Sequence, residues 1–96
     1  MKIFFTKRAE KNYLSIKEFI TVKWGPRIFE LFETKTIDFL DLLQEFPEIG
    51  TLEHAEKQIR GFQLSKQIRV FYRIKGARII ILAFFDVRQN PTKKPG

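Results

Sequence analysis

The sequence predicts an α+β fold with its elements in the order β-α-α-β-β-β, in which an antiparallel sheet carries an N-terminal helical hairpin on one face. Apolar residues recur at helical spacing between positions 7 and 46, and they alternate at strand spacing between positions 67 and 75. Gly25-Pro26 divides the helical stretch in two. The apolar run from Ile79 to Phe85 is typical of a strand that is covered on both faces.

The N-terminal half predicts one short strand and two helices. Lys2 to Phe5 is apolar and favours a strand, and Thr6 is a suitable N-cap for the helix that follows. Apolar residues then step by three or four from Ala9 to Trp24, and the spacing continues from about Pro26 to Phe46. Because only Gly25-Pro26 joins the helices, we expect an antiparallel hairpin.

The C-terminal half predicts three strands. They run from Gln58 to Leu64, from Gln67 to Lys75 and from Arg78 to Phe85. Glu48 to Lys57 is expected to be a loop with Gly50 as its turn residue. Asp86 to Gly96 is polar and contains two prolines, so it is expected to be a flexible tail on a single domain that spans residues 1–96.

Alternation in the middle strand predicts its two faces. One carries Ile68, Val70, Tyr72 and Ile74, and the other carries Arg69, Phe71 and Arg73. The helical hairpin should cover the first face, which leaves the second open to a partner.

Composition excludes several classes of site. The 96 residues include no cysteine and a single histidine, so disulfides, cysteine-based zinc sites and two-histidine ligand sets are excluded, and no metal or other cofactor is expected. Apolar runs stay far below the ~20 residues of a membrane helix, and the apolar start is too short for a signal peptide. We therefore expect a cytoplasmic protein without a membrane partner.

Charge is unevenly distributed along the chain. Residues 1–27 carry a net charge of +5, residues 28–56 carry −7 and residues 57–96 carry +9, which gives +7 in total. The basic C-terminal part indicates an anionic partner. The alternative is that its basic residues only keep a small domain soluble.

The candidate functional residues are arginines that lie on or beside the predicted strands: Arg60, Arg69, Arg73, Arg78 and Arg88. Guanidinium groups bind phosphate through paired donors and can stabilise charge that develops during RNA cleavage. Phe62 and Phe71 alternate with them and could stack on bases. Alternatively, Phe62 packs in the core and the arginines pair with the acids of the second helix. His54 lies in an acidic loop and is expected to be a surface residue.

Several segments in this order resemble the RelE/ParE family of bacterial toxin–antitoxin toxins. The segments are Trp24-Gly25, Phe46-Pro47-Glu48-Ile49-Gly50, Ile59-Arg60-Gly61-Phe62, Arg69-Val70-Phe71-Tyr72-Arg73-Ile74, and Ile79 to Phe85 followed by Asp86-Val87-Arg88-Gln89-Asn90-Pro91. The resemblance covers nearly the whole chain and implies a growth-arresting toxin that a cognate antitoxin neutralises. It also implies that operator DNA is bound only through the antitoxin.

The resemblance leaves two targets open. A ParE-like member would poison DNA gyrase, whereas a RelE-like member would cut mRNA on the ribosome with Arg60, Arg69 and Arg88 as catalytic residues. Phe62 stands where the nucleases have a second basic residue, and neither Tyr nor His follows Tyr72, so a group for proton transfer is missing unless Asp86 serves.

Trp24-Gly25 and Phe46-Pro47 are ParE-like, and we therefore expect gyrase inhibition. Arg69, Phe71, Arg73 and Arg78 are then expected to bind the target or nucleic acid. The basic sheet face is expected to bind an acidic antitoxin segment. A third possibility is a non-toxic basic binding module.

Overall fold

The structure is a computed structural model that describes residues 1–89. Its elements are β1 (Lys2–Phe5), α1 (Lys7–Trp24), α2 (Pro26–Glu45), β2 (Thr51–His54), β3 (Ile59–Gln63), β4 (Ile68–Lys75) and β5 (Arg78–Asp86). The predicted α+β class and the helical hairpin on one face of the sheet are confirmed.

The sheet is mixed rather than wholly antiparallel. Its strand order is β1-β5-β4-β3-β2, and all neighbours are antiparallel except β1, which runs parallel to β5. The hairpin α1–α2 carries the chain across one face of the sheet, from β1 at one edge to β2 at the other. A parallel partner reached through a long crossover leaves no local signal in the sequence, because the strands that pair are about 75 residues apart.

The predicted loop from Glu48 to Lys57 contains a strand. Thr51–His54 pairs with β3 at the sheet edge, with a bulge between Leu52 and His54. The prediction was wrong here because three of the four residues are exposed, so the strand has no buried face to impose an apolar alternation. Its charged Glu53 is a usual feature of an edge strand.

The helices begin and end where the sequence predicts. The Thr6 side chain accepts a hydrogen bond from the Ala9 amide at 3.0 Å and caps α1. Gly25 has a φ of +95°, which a residue with a Cβ adopts only at a cost, and it lets α2 start at once with Pro26. The second helix ends at Glu45, immediately before Phe46-Pro47.

The core lies between the hairpin and one face of the sheet. Tyr72, Ile79 and Ile81 are fully buried there. Phe39 of α2 stacks on Phe62 of β3 with ring centres 4.5 Å apart. Of the two interpretations of Phe62, the structure therefore supports packing against the core, where its ring is not free to stack on a base.

The last strand is longer than predicted. Asp86 belongs to β5 and is only 4% exposed, so it is not part of a tail. Residues 87–89 form a turn. The rest of the predicted flexible tail, residues 90–96, lies outside the described residues.

Candidate functional site

The sheet face opposite the helices carries a band of cations. Alternation and register place Arg69, Arg73 and Lys75 of β4 on this face, together with Arg78 of β5. We call this the open face. The guanidinium of Arg78 lies 5.8 Å from the ring centre of Phe4, which comes from β1 on the same face.

Phe71 lies on the open face but is not open to a partner. It is 3% exposed, which corrects the expectation that it presents a stacking surface. The Arg69 guanidinium lies 6.0 Å from its ring centre. A cavity of about 330 Å³ adjoins the ring, and Arg8 and Lys57 are among its lining residues. These two cations come from α1 and from the turn before β3, and no strand pattern in the sequence points to them.

Arg69 is held in an ion pair with Glu53 of β2. Its Nη2 lies 2.6 Å from Glu53 Oε1, and its Nη1 donates to Gln63 Oε1 at 3.1 Å. The pair lies over Gly61, where a Cβ would come within 2.8 Å of Arg69 Nε. Gly61 therefore allows the ion pair to lie flat across the sheet.

Arg73 differs from Arg69 because no acid within residues 1–89 forms an ion pair with it. Its side chain is half-buried, and its Nε is buried without a hydrogen-bond partner among the described residues. An unpaired buried donor costs free energy in the folded chain.

Arg60 has a structural role at the opposite face of the sheet. It pairs in register with Tyr72, whereas Gln63 pairs with Arg69, so alternation directs Arg60 towards the helix side. Its Nη1 donates to the carbonyl oxygens of Glu48 and Gly50, at 3.2 and 2.8 Å. The guanidinium is therefore engaged in holding the turn that follows α2.

Tyr72 holds the same turn from within the core. Its hydroxyl donates to the Pro47 carbonyl at 2.8 Å and accepts from the Gly50 amide at 2.9 Å. Burial raises the pKa of Tyr72, and the Gly50 amide and the charge of Arg60 oppose part of that rise. A Cβ on Gly50 would lie 2.8 Å from the Tyr72 ring, so this position requires glycine.

Arg88 packs at the tip of the helical hairpin. Its guanidinium forms two hydrogen bonds of 2.9 Å with the carboxylate of buried Asp86, and it lies 5.2 Å from the ring centres of both Phe19 and Trp24. Asp86 is thus the structural counter-ion of Arg88, and its carboxylate side chain is only 1% exposed.

The three arginines predicted for RNA cleavage therefore do not form one cluster. Arg69 lies on the open face, Arg60 holds a turn on the helix side, and Arg88 lies under Trp24. The acids of α2 do not neutralise these arginines, contrary to one sequence-based alternative. Among residues 1–89 the ion pairs are Arg69–Glu53 and Arg88–Asp86.

Two further titratable groups, His54 and Tyr13, lie elsewhere in the fold. His54 accepts a hydrogen bond from the Lys57 amide through Nδ1 at 3.3 Å, within a surface turn. Burial and the charge of Glu33 raise the pKa of Tyr13 to about 12, and this phenol lies on the helix side of the sheet. In the described part of the chain, no three His, Asp or Glu side chains come together as metal ligands, and no helix has the length and apolarity to span a membrane.

The chain matches the family model described as "ParE toxin of type II toxin-antitoxin system, parDE" over residues 3–91. It belongs to the ParE toxin family. By sequence, no curated protein matches it.

Solved structures share the fold. The chain is similar to the chromosomal ParDE system of P. aeruginosa, with a TM-score of 0.73, 21% identity, and coverage of 90% of this chain and 95% of that one. It is also similar to the YoeB/ParE toxin from Agrobacterium tumefaciens, with a TM-score of 0.66, 17% identity, and coverage of 90% of this chain and 98% of that one. For a chain of the E. coli DinJ-YafQ complex the TM-score is 0.60 and the identity 8%, and the match covers 93% of this chain and 96% of that one.

Proposed function

We propose that this ParE-family toxin arrests growth by binding and inhibiting DNA gyrase, and that it does not cleave mRNA. The observation that carries the proposal is the separation of Arg60, Arg69 and Arg88 described above. Phosphoryl transfer needs cations and a proton-transfer group converging on one phosphate. Two of these three guanidinium groups hold the fold together instead.

We further propose that a cognate antitoxin neutralises the toxin by laying an acidic segment on the open face. Arg73, Lys75 and Arg78 carry positive charge there without an ion-pair partner among residues 1–89. An acidic segment that folds on binding would pair with these cations. Operator DNA would be bound only through the antitoxin. The toxin would act in the cytoplasm, where DNA gyrase and the operator are found.

The first proposal is tested by adding purified toxin to purified gyrase and relaxed plasmid and measuring supercoiling. We expect loss of supercoiling as toxin is added. Mapping of mRNA 5′ ends after brief induction should show growth arrest without cuts that follow the codon phase. Codon-phased cuts that disappear in a folded Arg69→Ala variant, together with unchanged supercoiling, would establish the nuclease instead.

A charge reversal tests the antitoxin surface. Arg78→Glu changes the open face. Arg27→Glu, at an exposed position of α2, is the matched control because it makes the same change in net charge. With the antitoxin from the neighbouring reading frame, Arg78→Glu should weaken binding and reduce its dependence on salt, while Arg27→Glu should change neither. Equal effects of the two variants would show that only net charge matters.

A further inference from the structure

A second surface lies at the end of α2, away from the open face. It is a groove of about 730 Å³ between the N-terminus, the last turn of α2 and the segment Phe46-Pro47-Glu48-Ile49. We call it the Phe46 groove. Leu42 and Ile74 contribute to its apolar lining. Phe46 is 57% exposed and Ile49 40% exposed, so this edge of the protein presents large apolar side chains to water.

The turn that presents these side chains is rigid. Tyr72 and Arg60 supply the four hydrogen bonds to residues 47–50 that are described above. In addition, the Ile49 amide donates to the Phe46 carbonyl at 3.1 Å, and the Phe46 amide closes the last turn of α2. Apolar side chains on a pre-organised turn lose little conformational entropy on binding, which is a property of binding hot spots.

The charge at the rim differs from that of the open face. Glu45 and Glu48 are exposed and line the groove, and neither is in an ion pair within residues 1–89. The Met1 ammonium at the same rim is hydrogen-bonded to Gln44 at 3.3 Å. The groove therefore favours an apolar side chain flanked by Lys or Arg and repels the acidic segment proposed for the open face.

We infer that the Phe46 groove is the docking site for the protein that the toxin inhibits, and that the bound segment carries an apolar anchor beside basic residues. The inference rests on the proposed function insofar as the toxin acts by binding a protein. Arg60 is then a positioning residue, since it holds the docking turn without touching the target. Toxicity and neutralisation occupy separate surfaces in this arrangement.

Two matched pairs of variants test the inference by growth arrest and by inhibition of gyrase. Phe46→Ser removes the exposed anchor, and Val22→Ser, 81% exposed on α1, removes an apolar side chain elsewhere. The double variant Glu45→Lys with Glu48→Lys reverses the rim charge. Glu30→Lys with Asp38→Lys makes the same change on exposed positions of α2.

We expect Phe46→Ser to raise the toxin concentration for half-maximal inhibition by about 30-fold, the affinity equivalent of a truncated hot spot. The rim reversal should raise it about tenfold, while both control variants stay within about threefold of the wild type. Binding of the antitoxin should be unchanged in every variant, which also shows that each is folded.

A Phe46→Ser toxin as potent as the wild type overturns the inference. So does a concentration-dependent dimer that Phe46→Ser abolishes without loss of potency, because the groove would then hold a second copy of the chain. If the wild type arrests growth but leaves gyrase active, the proposed target is wrong. The inference about the groove is then decided by comparing the growth arrest caused by Phe46→Ser with that caused by Val22→Ser. A wild type that does not arrest growth overturns both.

Discussion

Tyr72→Phe should destabilise the toxin far more than the loss of one surface hydroxyl would. The variant deletes one oxygen and leaves the ring in place within the core. It removes the donor to the Pro47 carbonyl at 2.8 Å and the acceptor of the buried Gly50 amide at 2.9 Å. Leaving that amide unsatisfied costs about 1–3 kcal/mol, and the other bond contributes about 0.5–1.5 kcal/mol.

The expected loss in the free energy of unfolding is therefore about 1.5–4.5 kcal/mol. A chain of 96 residues has an unfolding entropy of roughly 0.2 kcal/mol/K, so the melting temperature should fall by about 7–22 °C. Thermal denaturation followed by circular dichroism measures this directly. The matched control is Tyr13→Phe, which deletes the same atom from an exposed hydrogen bond of 3.4 Å to Glu33 and should cost less than about 1 kcal/mol.

A melting temperature of Tyr72→Phe within about 3 °C of the wild type would refute the reasoning. So would equal losses in the two variants, because the buried turn would then contribute no more than an exposed hydroxyl. If water entered the turn and replaced the lost hydrogen bonds, the loss in stability would be smaller. Arg60→Ala distinguishes this case, because it would then also cost little.

Three further predictions follow from the same contacts. Gly50→Ala places a Cβ 2.8 Å from the Tyr72 ring and should lower the urea midpoint by the equivalent of about 1–3 kcal/mol; an unchanged midpoint would contradict the close approach. Arg88→Ala leaves the buried carboxylate of Asp86 without its counter-ion and should cost about 3 kcal/mol in the same assay, the low end for a buried pair because the Arg88 side chain is 23% exposed; a neutral result would mean that the pair is dispensable. Absorbance of phenolate should show neither tyrosine ionising below about pH 10 in the native state. Because the native pKa of Tyr13 is raised to about 12 and that of Tyr72 is also raised, the stability that both neutral phenols contribute is complete below pH 10 and is lost as pH rises through the native pKa values.

Local periodicity predicted most of the fold, because most elements bury one face. The two helices and the last three strands have core faces. The apolar residues of the helices and of β4 follow the period of their element, and β5 is marked by a continuous apolar run. The edge strand Thr51–His54 has no such face and was missed. The parallel pairing of β1 with β5 was also missed, since it depends on the path of the whole hairpin.

The arginines show where sequence reasoning about a site stops. Alternation within β4 correctly placed Arg69 and Arg73 on one face. The position of Arg60 relative to Arg69 depends on the register between β3 and β4, which the sequence does not encode locally. Phe71 has the alternation of an open-face residue, yet it is buried: Arg69 of the same strand lies 6.0 Å from its ring centre, and Arg8 and Lys57 line the cavity beside it.

The fold explains why opposite charges along the chain do not cancel. The second helix carries five acids and two basic residues, but it packs on one side of the sheet while the cations of β4 and β5 lie on the other. The apolar core lies between α2 and the sheet and holds these charges apart, so the exposed surface of α2 stays acidic while the open face stays basic. Helix α1, in the same layer as α2, carries five basic residues and two acids, so the acidic surface is confined to α2 and the turn that follows it. A partner that is attracted to the acidic surface of α2 is repelled by the open face. The acidic antitoxin segment that we propose would therefore be directed to the open face and excluded from the Phe46 groove, and it would neutralise the toxin by covering a surface other than the one we assign to the target.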